Sequence, residues 1–497
     1  MGIFVMARRH FFSKLFVLLF VFVPLLNSLV FATEIVVVGA GLSGLTVGYR
    51  LKKAGYPVTI YEARNRPGGR VFTVRLNGAP HELGGHDLNA GGKAENISRL
   101  AQELGLGFDT QVVSARSWFY DSMKKEVISV GSDSRARIET VTSETIRKMG
   151  DLEKSHSDLG QVLNQFFSDQ PLLRRVFEAK MKSMTGSETP FLSSSYATED
   201  FLWLLKQSAE WDRLVERRQI RGGNGKLVLA LAEFLKNDVK YSMPLTAIQK
   251  SPQGGLELLF EKGKKVRADI LVLTLPGSVM RFLRIDDGII PGKQLDALLS
   301  LQYGTVSQLL VPVKLSTEHS GSVLSDHVLA WFNLPNKNVM TFFYSGTDAI
   351  LNDTSPTFTE SLERDLGAVQ AVFRGVTLSG KKAVVKPRDV QFSSYESAVG
   401  VSWPREPYTL GGYTNISLQH ATKFKERTKA YGESVIEMFR PVNGAVFFAG
   451  EHTALENPAT MEGAVESGER TARMLIQALS VPVTPRSKCL GQVTCLN

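Results

Sequence analysis

Cysteine is nearly absent: the 497 residues hold only Cys489 and Cys495, both close to the C-terminus. Two thiols make neither a four-ligand metal cage nor a disulfide framework. In an oxidising compartment they can close one small local loop, and otherwise they are free thiols on a tail. The 8 histidines fall at no metal-ligand spacing, and no Ser-His-Asp or paired-carboxylate arrangement is indicated, so no metal site is expected. Beyond the N-terminus no run is long and apolar enough to span a bilayer. Internal repeats and low-complexity tracts are also missing. No dense basic block is interleaved with aromatics, which counts against nucleic acid as a partner even at a net charge of +9. Spread over a surface, that charge gives a mild attraction for anions. The hydrophobic fraction of 43% and charged fraction of 22% are those of an ordinary globular chain. Its length suits two interleaved domains rather than one core.

The one long apolar run sits at the start. Arg8, Arg9 and Lys14 precede an apolar stretch over residues 15–23, and Val30-Phe31-Ala32 supplies a small residue before a cleavage point. Residues 1–32 therefore read as a signal peptide of an exported protein, periplasmic or secreted. Arg8-Arg9-His10-Phe11-Phe12 also resembles a twin-arginine signal. A membrane anchor is the competing reading of the same segment. The next strand begins almost at once, which favours cleavage.

Residues 35–38, all apolar and β-branched, read as a buried parallel strand. The strand runs through Gly39-Ala40-Gly41-Leu42-Ser43-Gly44 into a helix that stops at Lys52-Lys53-Ala54-Gly55, with cations in its last turn and a glycine beyond. A second strand over residues 57–61 closes on Glu62. Further along, the pattern gives a helix at 97–104, a mostly helical layer from about 134 to 216, a helix at 227–235 and a buried strand from 270. A strand-rich stretch from about 290 to 431, a last strand from 446 and a closing helix at 463–479 follow. Parallel βα elements at both ends imply an α/β fold: a Rossmann-like dinucleotide-binding domain interrupted by a mixed α+β substrate domain. The expected division assigns 33–111, 218–289 and 431–480 to the dinucleotide domain, 112–217 and 290–430 to the substrate domain, and 481–497 to a tail.

The glycine motif has the context that gives such a motif meaning: a strand before it, a helix after it, and an acidic residue at the end of the second strand. Gly39 permits the tight turn, Gly41 lets backbone approach a pyrophosphate, and Gly44 lets helix and strand pack closely. The N–H groups of the helix N-terminus, at Leu42 and Ser43, face the phosphates. Glu62 can accept the hydroxyls of an adenosine ribose.

The segment Glu62-Ala63-Arg64-Asn65-Arg66-Pro67-Gly68-Gly69-Arg70 resembles the extended signature of glutathione-reductase-like FAD proteins, and especially of the flavin monoamine oxidase family. In that reading Arg64 and Arg70 lie near the diphosphate, where a guanidinium clamps phosphate oxygens. The resemblance continues from Glu34 to Leu479. Gly84-Gly85 is similar to the glycine pair beneath the flavin ring, and Gly222-Gly223-Asn224-Gly225 to the return into the FAD domain. Leu245 sits where the family's adenine-side backbone contact lies. The stretch from Trp403 to Tyr413 is similar to the one before the substrate cavity, and Gly450, Glu451 and Met461 belong to the C-terminal flavin signature. A helix starting near Met461 directs N–H groups at the flavin's negative end.

The resemblance implies an FAD-dependent enzyme that oxidises an amine or amino acid by hydride transfer to flavin N5. The imine then hydrolyses, and O2 takes the electrons as hydrogen peroxide. Three departures bear on this. A cysteine that bonds the flavin in covalent members is replaced by Gly412, which implies non-covalent FAD. Of two aromatic rings flanking the amine, Tyr413 matches one and Thr460 stands at the other. Gln308 stands where the family places a lysine beside N5. A flavin desaturase or dehydrogenase with a non-oxygen acceptor, and an exported flavin-binding protein without turnover, therefore stay open. His81 and His86 flank the Gly84-Gly85 turn and read as loop histidines, with His86 also able to line a cavity. No residue can be assigned to clamping a substrate carboxylate.

Overall fold

The computed structural model describes residues 33–88, 94–131, 134–154, 157–210, 213–314, 321–332, 338–351, 357–373, 377–378, 391–392, 398–423 and 438–480. The expected signal peptide, Cys489 and Cys495 lie outside these residues. Ile35–Val38 has no polar position on either face, and all four residues are buried. A strand of this kind belongs inside a parallel sheet covered on both sides. It forms the centre of a five-stranded parallel sheet in the order Val446–Phe448, Ile270–Leu273, Ile35–Val38, Thr59–Tyr61, Val239–Lys240. Three stretches of chain, separated by unlike material, thus build one sheet.

The helix Leu42–Lys53 packs on this sheet and against the last long helix, Met461–Ser480. Two glycines permit that packing. A Cβ at Gly48 would lie 2.6 Å from Ile60 Cδ1, and one at Gly468 would lie 2.7 Å from the Ser43 carbonyl oxygen. Arg50 joins the last helix to a third one, Glu95–Glu103, by ion pairs of 2.6 Å to Glu469 and 2.7 Å to Glu103. A smaller sheet of Lys265–Ala268, Leu256–Phe260, Leu245–Lys250 and Arg284–Ile285 lies beside this unit in sequence and shares core residues with it.

The remaining chain forms a second layer system. Val306–Lys314, buried at all but its last residue, is flanked by Val339–Ser345 and Val399–Ser402 in a nine-stranded sheet. Ser117–Asp121 enters the same sheet by pairing in parallel with Ser322–Ser325, so chain from both sides of the intervening dinucleotide segment shares one sheet. Helices Arg135–Lys154, Leu159–Phe166, Pro171–Thr185 and Ser194–Ala209 form a layer with its own core around Phe167, Phe177 and Phe201. Among the described residues no helix is long and apolar enough to cross a membrane.

Local differences from the sequence pattern have physical causes. The helical layer ends at Ala209, and Leu214–Ile220 is a strand paired over seven residues with Phe108–Ser114. Its polar residues hid a period of two that only the distant partner makes worthwhile. The strand expected at 57–61 starts at Thr59, beyond Pro57, since proline brings no N–H to a ladder. The strand-rich region also holds helices Gly292–Ser300 and Thr357–Val372.

Gly468→Val should push the first and last helices apart and cost about 1–3 kcal/mol, as overpacking does. A lowered unfolding temperature is the expected reading. An unchanged one contradicts the close crossing.

Candidate functional site

The residues assigned from sequence to holding the cofactor or to chemistry, Gly44 excepted, line one cavity of about 1720 Å³. Pockets for drug-sized ligands run to roughly 300–1,000 Å³, so this one has room for a dinucleotide and a small molecule together. Gly44 lies behind the wall, where an added Cβ would stand 2.0 Å from the Gly39 carbonyl oxygen. Its part is the close packing of helix on strand.

The fingerprint end fits a dinucleotide on two observations. A Cβ at Gly41 would meet nothing within 4 Å, so the backbone there opens onto the cavity. The helix that follows has no side-chain cap, and Leu42 and Ser43 line the cavity. Uncapped N–H groups with a positive dipole end suit a phosphate. Glu62, at the end of its strand, accepts N–H bonds from Ala40 at 2.7 Å and Arg64 at 2.9 Å, which fixes its carboxylate beside Ala63. Met243 N–H bonds the Glu62 carbonyl oxygen at 2.8 Å and brings Leu245 to the same wall.

Carboxylates hold both arginines of the extended signature. Arg64 donates to buried Glu406 through Nε, at 3.2 Å, and through Nη2. Arg70 donates to Glu451 at 2.8 Å and to the Gly412 carbonyl oxygen at 2.6 Å. Glu451 also accepts Ala459 N–H at 2.9 Å. Gly69 comes within 3.4 Å of the Gly41 Cα, measured from its would-be Cβ. The arginines are thus fixed in place at the cavity wall, and Gly450, at φ 139°, turns the chain into Glu451.

Further in, one buried carboxyl ties the walls together. Glu82 accepts Asn224 N–H at 2.7 Å and the Thr73 hydroxyl at 2.7 Å. Asn224 donates its amide to the Gly85 and His86 carbonyl oxygens, at 3.0 and 2.7 Å. Burial, against these bonds, pushes the Glu82 carboxyl up to about 7. Gln308 donates Nε2 to the Glu82 carbonyl oxygen at 2.6 Å, and Trp403 donates Nε1 to that of Leu83 at 3.2 Å. The Gly84-Gly85 turn is therefore held from four directions. A side chain at Gly84 would strike the Arg70 carbonyl oxygen at 1.9 Å.

Around this turn stand the residues proposed for chemistry. Tyr413 donates its hydroxyl to the Ser183 carbonyl oxygen at 3.1 Å, and burial raises its pKa. Thr460 caps the last helix: its Oγ1 accepts Gly463 N–H at 3.1 Å and donates to Asn457 at 2.6 Å. The non-aromatic residue at that position thus serves the helix whose start, Met461, packs over Gly85. A Cβ at Gly412 would lie 2.3 Å from Val306 Cγ2, so no larger side chain fits there without movement.

Sequence reasoning missed several wall residues. Of the two histidines read as loop residues, His81 is instead buried in the strand Ala79–Glu82, while His86 does lie in the loop after the glycine turn and lines the cavity, the second place its reading allowed. His86 Nδ1 lies 3.2 Å from Asp87 Oδ1, and its ring meets Trp331 edge-on at 5.6 Å. Asp87 in turn lies 3.7 Å from Arg217 Nε. Burial, the largest single effect, opposes the charge on His86, yet the Asp87 bond and the Asp87 and Glu82 charges together outweigh it and raise the imidazole pKa. Burial also opposes the charge on Asp87, and His86 and Arg217 hold it low. Arg217 fell in the region read as helix, and Glu406 looked like one acid among 49 Asp and Glu.

Comparison with known proteins bears on this geometry. The profile of the family described as flavin containing amine oxidoreductase matches residues 42–476. Lysine-specific histone demethylase 1 homolog 2 of Oryza sativa subsp. japonica is 26% identical over 471 residues, covering 90% of this chain and 57% of that protein. Protein FLOWERING LOCUS D of Arabidopsis thaliana is 26% identical, covering 90% and 56%. The chain thus spans little more than half the length of these relatives. Among solved structures, cyclohexylamine oxidase from Brevibacterium oxydans IH-35A gives a TM-score of 0.71 at 16% identity, covering 90% of this chain and 99% of that one. A wild-type putrescine oxidase bound to putrescine gives 0.67 at 20%, with the same coverage. At such identities the structural likeness speaks to the fold alone.

Glu82 makes stability depend on pH. Its folded pKa, about 7, lies above the ordinary 4.5. Its contribution is therefore complete below the lower value and is lost as pH rises through the upper one, by about 3 kcal/mol. Glu82→Gln should flatten that fall, read as unfolding free energy against pH. A difference from wild type that does not vary with pH contradicts the assignment.

Proposed function

Because the chain belongs to the flavin containing amine oxidoreductase family, and is an FAD-dependent oxidoreductase of the amine oxidase type, we propose that it holds FAD without a covalent bond and oxidises a small amine-bearing substrate outside the cytoplasm. The observation that carries the reading is the single cavity that joins an open, uncapped helix N-terminus at Gly41 to the Gly84-Gly85 turn and Tyr413. FAD supplies hydride acceptance at N5 from the carbon next to nitrogen and delivery of the electrons to O2 as hydrogen peroxide.

This chain's residues supply placement. The first helix N-terminus receives the diphosphate, and Glu62 faces the ribose. Arg64 and Arg70, neutralised by Glu406 and Glu451, shape the wall more than they add net charge. Gly412 carries no thiol to bond a flavin, and a side chain there would have to displace Val306, which supports an unlinked cofactor. Tyr413, tethered to Ser183, presents one ring beside the reacting centre, and Thr460 leaves the opposite side open. The imine leaves for hydrolysis by water. Export rests on the N-terminal segment read from sequence.

Gln308 favours a second acceptor. Its amide nitrogen gives one of its two N–H groups to the Glu82 carbonyl oxygen, and it brings no charge to the cavity. A preorganised donor or charge that stabilises a developing anion contributes about 2.7–4 kcal/mol, and its lack slows electron delivery to O2. The test is stopped-flow on both halves of the reaction. Anaerobic mixing with amines and amino acids should bleach the bound flavin, and admitting O2 should restore it with peroxide. Gln308→Lys should speed the second half and leave the first nearly unchanged. Bleaching by no amine or amino acid contradicts the proposed activity, and bleaching without return in O2 selects the non-oxygen acceptor.

A further inference from the structure

We propose that the substrate carries a carboxylate which Arg217 and His86 receive, so that the chain acts on an amino acid rather than a simple amine. The proposal rests on the amine-oxidising reading above and deepens it. Its ground is a cluster that the fold assembles from two remote segments. His86 and Asp87 directly follow the Gly84-Gly85 turn, while Arg217 comes from the strand Leu214–Ile220. Residues two apart on a strand share a face. Gln219 on that face donates to the His86 carbonyl oxygen at 3.1 Å, so Arg217 is delivered to the same wall. Arg217, His86 and Asp87 all line the cavity.

The open guanidinium fork favours an anion. The cluster holds a guanidinium, an imidazole with its pKa raised, and one carboxylate. Asp87 uses one oxygen on His86 and lies 3.7 Å from Arg217 Nε, beyond a direct hydrogen bond. The Arg217 Nη groups have no protein partner among the described residues, and its side chain is 38% exposed. A guanidinium presents a planar fork that matches a carboxylate with two parallel bonds. A simple amine, cationic near neutral pH, gains nothing from this wall. An amino acid brings the anion, and the flat faces of Trp331 and Phe343 beside Gln308 offer an apolar surface for an aromatic or branched side chain.

Two other carboxylates, Glu199 and Asp200, face the cavity from the helix Ser194–Ala209. Burial, and then Glu199, pushes Asp200 up to about 6. They would suit the ammonium of a zwitterion, or a diamine, and the test must separate these.

Calorimetry with the FAD-loaded protein uses 3-phenylpropionate, a carboxylate that cannot be oxidised, and 2-phenylethylamine, its counterpart without the acid. Wild type should bind the carboxylate more tightly. Arg217→Met should weaken that binding about tenfold to hundredfold, and Arg217→Lys should weaken it less. Binding of 2-phenylethylamine should stay unchanged, with FAD content and unfolding temperature kept. His86→Gln, away from the strand pairing, should weaken the carboxylate in the same sense. Equal carboxylate affinity in wild type, Arg217→Met and His86→Gln overturns the proposal. So does anaerobic bleaching by 2-phenylethylamine or cadaverine that outpaces phenylalanine and lysine; the amine-oxidising reading then survives. Carboxylate binding that depends on Arg217, with no bleaching by any amine or amino acid, upholds the site and removes the activity instead.

Discussion

A carboxyl buried at 2% exposure cannot be left unsatisfied, and the way Glu82 is satisfied fixes most of the cavity. Its two oxygens take an N–H from the Gly222-Gly223-Asn224-Gly225 turn and a hydroxyl from Thr73, on the neighbouring strand. Its carbonyl oxygen takes the amide of Gln308, from the large sheet. Asn224 then reaches past it to two carbonyl oxygens of the glycine turn. Elements that meet nowhere else in sequence are thus registered on one another by a few short polar contacts. Loss of any one leaves a buried donor or acceptor without a partner, which costs more than the bond contributes.

Around that node most of the charges at the cavity wall are paired. Arg64 with Glu406 and Arg70 with Glu451 present shape and direction at little net charge. Glu462 spends its carboxylate on the N–H groups of Asn96 and Ile97, at the start of the third helix. His452, buried against Phe439, has its pKa pushed down to about 4 and stays neutral. Against this balanced background the Arg217–His86–Asp87 cluster stands out, because the Arg217 Nη groups have no protein partner among the described residues. Gln308, Gly412 and Thr460 share a different logic: each has a local structural duty, as a clasp, a tight contact and a helix cap. A lysine, a linked cysteine or an aromatic ring at those positions would have to displace it.

Much of the dinucleotide fold was legible in the sequence because its signals are local. Ile35–Val38 is apolar on both faces, the glycines follow at once, and the helix ends on lysines and a glycine, so strand, turn and helix can be read in order. The closing strand and helix carried the same kind of signal. Leu214–Ile220 was not legible, since its pairing with Phe108–Ser114 is a contact across about a hundred residues and its polar alternation resembles a solvated helix. His86 was only partly legible for a related reason. Its sequence neighbours are those of a loop, and only the fold brings Trp331 and Arg217 to it. Paired charges such as Arg64–Glu406 stay hidden for the same cause: a sequence shows charge but not which charge answers it.

The non-covalent FAD in this cradle is tested most directly by denaturing the purified protein and separating the small molecules from the chain. The expected result is FAD, identified by its mass, in the soluble fraction at near-stoichiometric amount, with the chain mass free of any adduct. Flavin that stays with the denatured chain, or a protein that neither carries nor takes up FAD, contradicts it.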